Sequence, residues 1–203
     1  MCVGCGREGK YICKLCQSKL VRPEPICPMC TKASLDGMVH ARCRSRYCMD
    51  RLIVGLPYKG MVQKCLKKVK YQSDWDIVQD LVEMCSFGRQ EAAAVTCVPM
   101  WSAKQRRRGF NQAEMIAKQV ALINKGQSDV YLERTKETKP MFGLTKPERQ
   151  KNIANAFRFV GQNCPEMILL VDDVWTTGAT MRECARVLKQ NGVKEVCGVA
   201  LAR

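Results

Sequence analysis

The sequence lacks a long apolar stretch, an apolar leader and, apart from one residue, histidine. A membrane-spanning helix needs roughly 18 or more consecutive apolar residues, and no such run occurs, so a membrane span is not expected. The chain starts Met1-Cys2-Val3-Gly4-Cys5, without the apolar region of a secretory signal. Aromatic residues make up only 6% of the chain, which leaves few side chains for base stacking. These absences predict a cytoplasmic protein with no stable membrane insertion.

Cysteine, in contrast, is abundant, at 14 of 203 residues. Eight cysteines lie between residues 2 and 48, mostly in close pairs, and the other six are scattered through apolar segments. Many cysteines in a short secreted chain would indicate disulfides. Scattered cysteines in apolar segments are more simply small core side chains in a reducing compartment, which again favours the cytoplasm.

The formal net charge of +15 predicts acidic partners, with nucleic acid first among them. Residues 1–51 contribute +6 and residues 52–203 contribute +9. Zinc-bound thiolates would cancel much of the charge of the first segment. The positive charge that remains after zinc binding therefore belongs mainly to the second segment. The alternative to a nucleic-acid-binding surface there is a basic face that is merely solvated.

The chain changes character after residue 51. Residues 1–51 are cysteine-rich and show little periodicity, which predicts a small, loop-rich domain. Residues 52–203 alternate apolar strands with amphipathic helices, which predicts a doubly wound, mostly parallel sheet in an α/β domain. The predicted strands are 52–58, 92–98, 130–132, 167–171 and 195–201, and the predicted helices are 59–71, one capped by Ser73 or Asp76, 111–124 and one ending near 191. Residues 104–110 and 136–152 are predicted as loops, the second one functional or mobile.

The close cysteine pairs have the spacing of zinc knuckles, in which a CxxC turn places two sulfurs on one side of the backbone. Two such turns complete a closed site whose four protein ligands leave no catalytic position, so the zinc would be structural. The ligands predicted for the first site are Cys2, Cys5, Cys13 and Cys16. A thioredoxin-like redox role is not favoured, because no strand and helix surround either pair.

The ligands predicted for a second site are Cys27, Cys30, Cys43 and Cys48. The last pair is spaced more widely than the others, so His40 is a possible replacement ligand, although a surface position is favoured for it. The same spacing leaves the pairing order of the cysteines open.

The most informative segment is 167–180, a short apolar strand followed by two acids and a turn rich in hydroxyl groups and glycine that opens a helix. The N-terminus of a helix offers unpaired N–H groups to a phosphate, and small residues let the ligand approach closely. Acids at the end of a strand can bind ribose hydroxyls or a hydrated Mg²⁺ ion. The sequence therefore predicts a sugar-phosphate site with Mg²⁺, and the alternative is an ordinary helix cap after an acidic strand end. The predicted ligand-binding residues are Asp172, Asp173, Thr176, Thr177, Gly178, Ala179 and Thr180.

Taken together, these segments resemble the ComF family, which is associated with DNA uptake in naturally competent bacteria. The resemblance covers nearly the whole chain, and segment 167–180 matches the phosphoribosyl pyrophosphate (PRPP) motif of type I phosphoribosyltransferases. Departures are the wide spacing of Cys43 and Cys48 and the presence of Trp175 within the motif. The other matching residues are the paired cysteines, Tyr58-Lys59-Gly60, 66–71, Val98-Pro99, 106–112, Arg134, Lys136, Thr138, Gly143-Leu144, Glu148-Arg149, Asn152 and Ala156-Phe157.

The resemblance implies a type I phosphoribosyltransferase-like fold preceded by a zinc-finger domain, with boundaries at 1–51 and 52–203. It implies PRPP with Mg²⁺ as ligand, single-stranded DNA as partner, and DNA-uptake helicase or channel proteins as possible further partners. The segment 99–108 occupies the place where related enzymes hold pyrophosphate. Its basic side chains would bind pyrophosphate or DNA phosphates, or are merely solvated. They are Lys104, Arg106, Arg107 and Arg108.

Three functions follow as hypotheses. The first is a protein of natural competence that binds single-stranded DNA and PRPP, with 64–70 as further phosphate contacts and Tyr71, Trp101, Phe110 and Trp175 near the basic or ligand segments. The second is an active phosphoribosyltransferase that transfers phosphoribose from PRPP to an unidentified nitrogenous base or nucleic acid, with 136–150 closing as a lid. A PRPP-sensing regulator of DNA affinity is a third. No catalytic residue is predicted, so enzymatic activity stays open.

Overall fold

The computed structural model describes residues 1–72, 75–85, 87, 94–138, 143 and 145–203, and its centre is a four-stranded parallel sheet. The strands are β1 (Arg51–Leu56), β2 (Ala94–Cys97), β3 (Leu132–Arg134), β4 (Phe157–Phe159), β5 (Met167–Val174) and β6 (Glu195–Ala202). The helices are α1 (Lys14–Gln17), α2 (Gly60–Gln72), α3 (Trp75–Cys85), α4 (Ser102–Arg108), α5 (Gln112–Ile123), α6 (Lys146–Ile153) and α7 (Ala179–Gln190). Short 3₁₀ turns cover Leu35–Gly37 and Ala41–Cys43.

The sheet has the order β1-β6-β5-β2, with every neighbouring pair parallel. The two central strands, β5 and β6, carry almost continuous apolar runs, as strands covered on both faces must. Helices α2, α3 and α5 pack on one face, and α7 packs on the other. The predicted doubly wound, mostly parallel α/β sheet is therefore confirmed.

The cysteine-rich segment packs against this sheet and shares its core. Ile12 is fully buried in the same cluster as α2 and α3, and the Tyr11 N–H donates to Asp80 at 3.1 Å. Asp50 accepts from the Val196 N–H at 2.9 Å and pairs with Lys189 at 2.7 Å. The boundary predicted between residues 51 and 52 falls inside β1.

Two segments predicted as loops contain helices. Residues 104–110 lie largely in α4, which ends at Gly109 with φ of 85°. Residues 136–152 contain most of α6, which begins with a capping box between Thr145 and Glu148. Both helices have few apolar residues, so the helical hydrophobic period that the prediction relied on is weak there.

The short strands also differ from the prediction. Residues 132–134 pair antiparallel with β4, which had not been predicted, whereas 130–131 lie before the strand. Three-residue strands carry too little alternation to be recognised. The predicted cap Ser73, residues 92–93 of the second strand and Leu144 lie outside the described residues. In the described part of the chain, no helix combines the length and apolarity needed to cross a bilayer.

Candidate phosphate site and metal groups

The two acids lie near the carboxyl end of β5, directly before its last residue, Val174. Asp172 Oδ1 accepts from the Asp173 N–H at 2.9 Å, and Asp173 Oδ1 accepts from the Val174 N–H at 2.7 Å. These bonds orient both carboxylates at the carboxyl edge of the sheet, where open α/β sheets bind ligands. Burial first, and the neighbouring Asp173 charge second, raise the pKa of Asp172 well above its ordinary value. A bound cation would favour the ionised form of Asp172 and so oppose these two effects.

The loop after β5 leads directly into the N-terminus of α7. Gly178 caps the helix with φ of 75°, a conformation that side chains other than glycine rarely adopt. A narrow recess of about 30 Å³ is lined by Asp172 and by the loop, including Thr177, Gly178 and Ala179. Since α7 extends over twelve residues, its first turn provides the N–H groups and the dipole that favour an anion.

A cavity of about 660 Å³ lies beside this recess and unites acids, hydroxyls and cations. Asp172, Asp173, Thr176 and Thr180 line one part of it. The cations that line it come from three elements, namely α2, α4 and β3, and they are Lys67, Lys70, Lys104, Arg108 and Arg134. An adjoining cavity of about 470 Å³ is lined by Lys70, Lys104, Arg107 and Arg108. Among these described residues, Arg106 is exposed and lines neither cavity.

The cations crowd one another. Burial first, then the positive charges of Arg108, Lys70 and Arg134, lower the pKa of Lys104. Burial also lowers the pKa of Arg134. Both shifts mean that positive charge in the cavity costs free energy until an anion enters, so the cavity favours a ligand with several negative charges.

The Arg-Gly-Phe-Asn-Gln segment positions these cations through local geometry. Gly109 ends α4, and Asn111 begins α5 by accepting from the Ala113 N–H at 3.1 Å. The Asn111 amide also donates to the Val98 carbonyl at 3.0 Å, which ties the turn to the end of β2. Gln112 Oε1 accepts from Arg108 Nη1 at 2.5 Å and so aims the guanidinium. The segment is therefore a scaffold that presents Arg108 to the cavity.

A third cavity, of about 600 Å³, shares Pro99, Met100, Asn111 and Arg134 with the cationic one. It contains the half-buried indole of Trp101, together with apolar residues and the acids Glu114, Asp129 and Glu133. An aromatic ring beside carboxylates suits a planar heterocycle that carries N–H donors. Of the other predicted aromatics, Trp175 is only 2% exposed, Phe110 is half-buried, and the side chain of Tyr71 lies outside the described part of the chain.

The first cysteine group has the geometry of a zinc site. Atoms Sγ of Cys2, Cys5, Cys13 and Cys16 all lie within 4.8 Å of one another, and Cys5 and Cys13 Sγ are 3.6 Å apart. Tetrahedral zinc holds two sulfurs about 3.8 Å apart, so these thiols fit the ion. Backbone N–H groups, that of Cys13 first, lower the pKa of Cys2 to about 6, whereas burial first, and then the neighbouring thiols, raise the pKa of Cys16 to about 12.

The second group contains Cys27, Cys30, Cys43 and His40, again within 4.8 Å of one another. His40 Nδ1 lies 3.3 Å from Cys30 Sγ, near the roughly 3.6 Å expected between N and S on tetrahedral zinc. His40 Nε2 lies 3.0 Å from the Ala33 carbonyl, an outer hydrogen bond that leaves Nδ1 to face the thiols. Both groups can therefore hold a zinc ion.

The group that contains Cys27, Cys30 and Cys43 includes His40, the replacement ligand that the sequence left open, and does not include Cys48. His40 and Cys43 flank one 3₁₀ turn, which brings their ligand atoms to the same side. Cys48 belongs to the next turn, where its Sγ accepts from the Ser45 N–H at 3.3 Å, and its side chain packs beside the group. Cys48 is not among the four residues whose ligand atoms all lie within 4.8 Å of one another.

Comparison with known proteins finds relatives named for competence and for DNA utilization. No protein-family model matches the chain. The chain is 27% identical to Competence protein F of Haemophilus influenzae, in an alignment that covers 100% of this chain and 90% of that protein. It is 27% identical to Competence protein ComFC of Bacillus subtilis, over 92% of this chain and 81% of that protein. These similarities support the resemblance to the ComF family. It is also 26% identical to the DNA utilization protein YhgH of Escherichia coli, over 91% of this chain and 87% of that protein.

The structure brings most of the sequence-predicted site residues to one place. The acid pair, the threonine loop, Lys104 and Arg108 surround the main cavity or its recess, and Arg107 lines the adjoining one. Arg134 had been noted only as part of the family resemblance, and the fold adds it from a distant strand. Lys70 had been expected as a phosphate contact, and the structure places it between the two cationic cavities.

Proposed function

We propose that this protein is a member of the ComF family, acts in DNA uptake in the cytoplasm, and binds PRPP with Mg²⁺ and single-stranded DNA at adjacent sites. The observation that carries the proposal is the single cavity in which five cations face the acid pair and the threonine loop. The names of the relatives, two for competence and one for DNA utilization, support the cellular role.

The distribution of charge in the cavity matches the parts of PRPP. The 5′-phosphate would bind the α7 N-terminus and its threonines, and the ribose hydroxyls would bind the acids. The pyrophosphate would bind Lys104, Arg108 and Arg134, since guanidinium groups suit phosphate oxygens. Carboxylate oxygens are what Mg²⁺ prefers, so Asp172 and Asp173 fit an ion that would neutralise part of the ligand's charge.

Helix α4 lines both this cavity and the one that contains Trp101. On α4, Lys104 and Arg108 line the cationic cavity, whereas Trp101 just before the helix and Gln105 line the other. Arg107 extends the cationic surface outward. A DNA strand along α4 would place its phosphates on the cations and an unstacked base against the indole, the usual combination for single-strand binding.

The PRPP proposal is tested by calorimetry on the wild type and on an Asp172→Asn/Asp173→Asn double variant, with zinc content measured on both. We expect the double variant to keep two zinc ions per chain and to lose PRPP·Mg²⁺ affinity by tenfold or more, since both proposed metal and ribose contacts become neutral. A Glu8→Gln/Glu24→Gln variant removes the same charge at exposed positions and should bind as the wild type does. Equal PRPP affinity in all three proteins would overturn the proposed site.

The DNA proposal is tested by fluorescence anisotropy of a labelled oligonucleotide. Trp101→Ala should weaken binding by about 1–3 kcal/mol if one base stacks on the indole. Trp75→Ala is the matched control, because Trp75 is 43% exposed and lies outside the cavity lining. If the Trp101→Ala variant binds DNA with the affinity of the wild type, no base stacks on Trp101.

The second candidate is an active phosphoribosyltransferase, favoured by the joint presence of the acid pair and the pyrophosphate-sized cation cluster. In that reaction the bond from ribose C1 to pyrophosphate breaks, a bond from C1 to the acceptor nitrogen forms, and the acceptor loses a proton. The cations would stabilise the leaving pyrophosphate. Release of pyrophosphate that depends on an added base or nucleic acid would establish the activity. No release across a panel of bases and oligonucleotides would leave binding as the function.

A regulatory role is distinguished by parallel titrations. If PRPP·Mg²⁺ only signals, it should change DNA affinity, and DNA should change PRPP affinity by the same factor. Independent affinities would indicate two uncoupled sites.

A further inference from the structure

Arg182, on α7, lies between the second metal group and the phosphate loop. Its Nε–H donates to the Pro28 carbonyl at 2.5 Å, and Pro28 follows the ligand Cys27 within the CxxC turn. Its guanidinium carbon lies 5.3 Å from the centre of the Trp175 ring, within cation–π range. One side chain therefore contacts both the metal-binding turn and the loop that begins with Trp175.

Trp175 in turn shapes the phosphate loop. The indole is 2% exposed, and a Cβ added at Gly178 would lie 2.2 Å from its Cζ2 atom. The backbone N–H of Trp175 donates to the Ala202 carbonyl at 2.8 Å, which ties the residue to the end of β6. The ring thus fills the space beneath the loop, and only glycine fits above it. This contact explains why a tryptophan can stand inside a phosphate-binding loop.

The arrangement depends on few polar contacts. Arg182 Nη2 and Trp175 Nε1 are buried without a hydrogen-bond partner among the described residues. Arg182 is therefore held by the Pro28 carbonyl and by the face of the ring. A displacement of the CxxC turn would remove the hydrogen bond and leave a buried cation poorly compensated.

Zinc in the second group would strengthen this arrangement in two ways. It would fix the Cys27–Cys30 turn and with it the Pro28 carbonyl. It would also convert three thiols into thiolates, so that a site with one Zn²⁺ and three thiolates carries a net charge of −1 next to the guanidinium. The first metal group packs instead with α2 and α3, on the other face of the sheet.

We propose that Arg182 and Trp175 are positioning residues that couple zinc in the second group (Cys27, Cys30, His40 and Cys43) to the conformation of the 176–180 loop. The functional consequence rests on the proposed binding of a sugar phosphate at that loop. By linkage, zinc at this group raises affinity for the phosphate ligand, and the bound ligand slows zinc loss from the same group.

The coupling is tested with the full-length, zinc-loaded chain in a Trp75→Phe/Trp101→Phe background, where Trp175 is the only tryptophan. Arg182→Met keeps the length of the side chain and removes its charge. We expect this variant to retain the fold and two zinc ions, to change Trp175 emission, and to bind PRPP·Mg²⁺ about tenfold more weakly, the order of magnitude of a lost cation–π contact and a charged hydrogen bond. Arg182→Lys keeps the charge and should restore part of the affinity and of the emission.

Zinc removal provides the complementary arm. Cys43→Ser should empty the second group, change Trp175 emission and weaken PRPP binding, whereas Cys5→Ser in the first group should leave the emission unchanged. In the wild type, a zinc-binding dye should withdraw one of the two ions more slowly when PRPP·Mg²⁺ is present. This measurement needs no variant, so it decides the question even if a substituted chain fails to fold.

The outcomes separate the two proposals. If the wild type binds no PRPP, the proposed function fails, while the dependence of Trp175 emission on zinc in the second group still tests the coupling. If PRPP binds but Arg182→Met matches the wild type in emission and affinity, the coupling is overturned. The same conclusion follows if PRPP does not alter the rate of zinc loss.

Discussion

Replacing Gly178 by alanine is the sharpest test of the phosphate loop, because the structure predicts two separable costs. The residue has φ of +75°, where a side chain costs about 1–2 kcal/mol. The new Cβ would also lie 2.2 Å from Trp175 Cζ2, and relieving such a clash in a packed interior costs about 1–3 kcal/mol. We expect Gly178→Ala to lower the free energy of unfolding by about 2–5 kcal/mol in urea titrations, by the sum of these two effects.

A control isolates the second cost. Gly6 has φ of +76°, but a Cβ there would meet nothing within 4 Å, so Gly6→Ala should show the backbone cost alone, about 1–2 kcal/mol. In a double-mutant cycle, Gly178→Ala should lower the free energy of unfolding less in a Trp175→Ala background than in the wild type, because the clash with the indole is absent there. Equal destabilisation by Gly178→Ala and Gly6→Ala, with no coupling to Trp175, would refute the idea that the indole supports the loop.

Two further predictions concern the cations and the second metal group. Replacing Lys104, Arg107 and Arg108 with glutamine should weaken single-stranded DNA binding. It should also reduce the magnitude of the negative slope of log K against log salt by about 2, at roughly 0.7 per lost phosphate contact. An unchanged slope would mean that the DNA binds elsewhere. His40→Ala should reduce the zinc content measured by atomic absorption from two ions towards one per chain, because it removes a ligand from the second group. Cys48→Ala should keep both ions. If Cys48→Ala instead loses a zinc ion and His40→Ala keeps both, Cys48 is the fourth ligand, as the sequence predicts.

Local sequence patterns predicted the parts of the site that are contiguous in the chain. The apolar residues 168–171 predicted a buried strand, and the acids, Gly178 and the threonines predicted the turn that the structure contains. The first metal group followed in the same way from its two CxxC turns. The helix α6 and its capping box of Thr145 and Glu148 were not predicted, because the segment has a weak apolar period.

The acids, the loop and the first cysteine group were thus determined by the sequence alone, because each depends on backbone geometry within a few residues. Tertiary structure decided which cations face the acids, since Arg134 comes from β3 and Lys70 from α2. It also decided that His40 lies in the group with Cys27, Cys30 and Cys43, and that the Trp175 ring is buried against Arg182. The positions of these cations and of Trp175 depend on the packing of elements that are distant in the chain, and residue spacing carries no information about such packing. The position of His40 depends on the 3₁₀ turn that it precedes and that ends at Cys43.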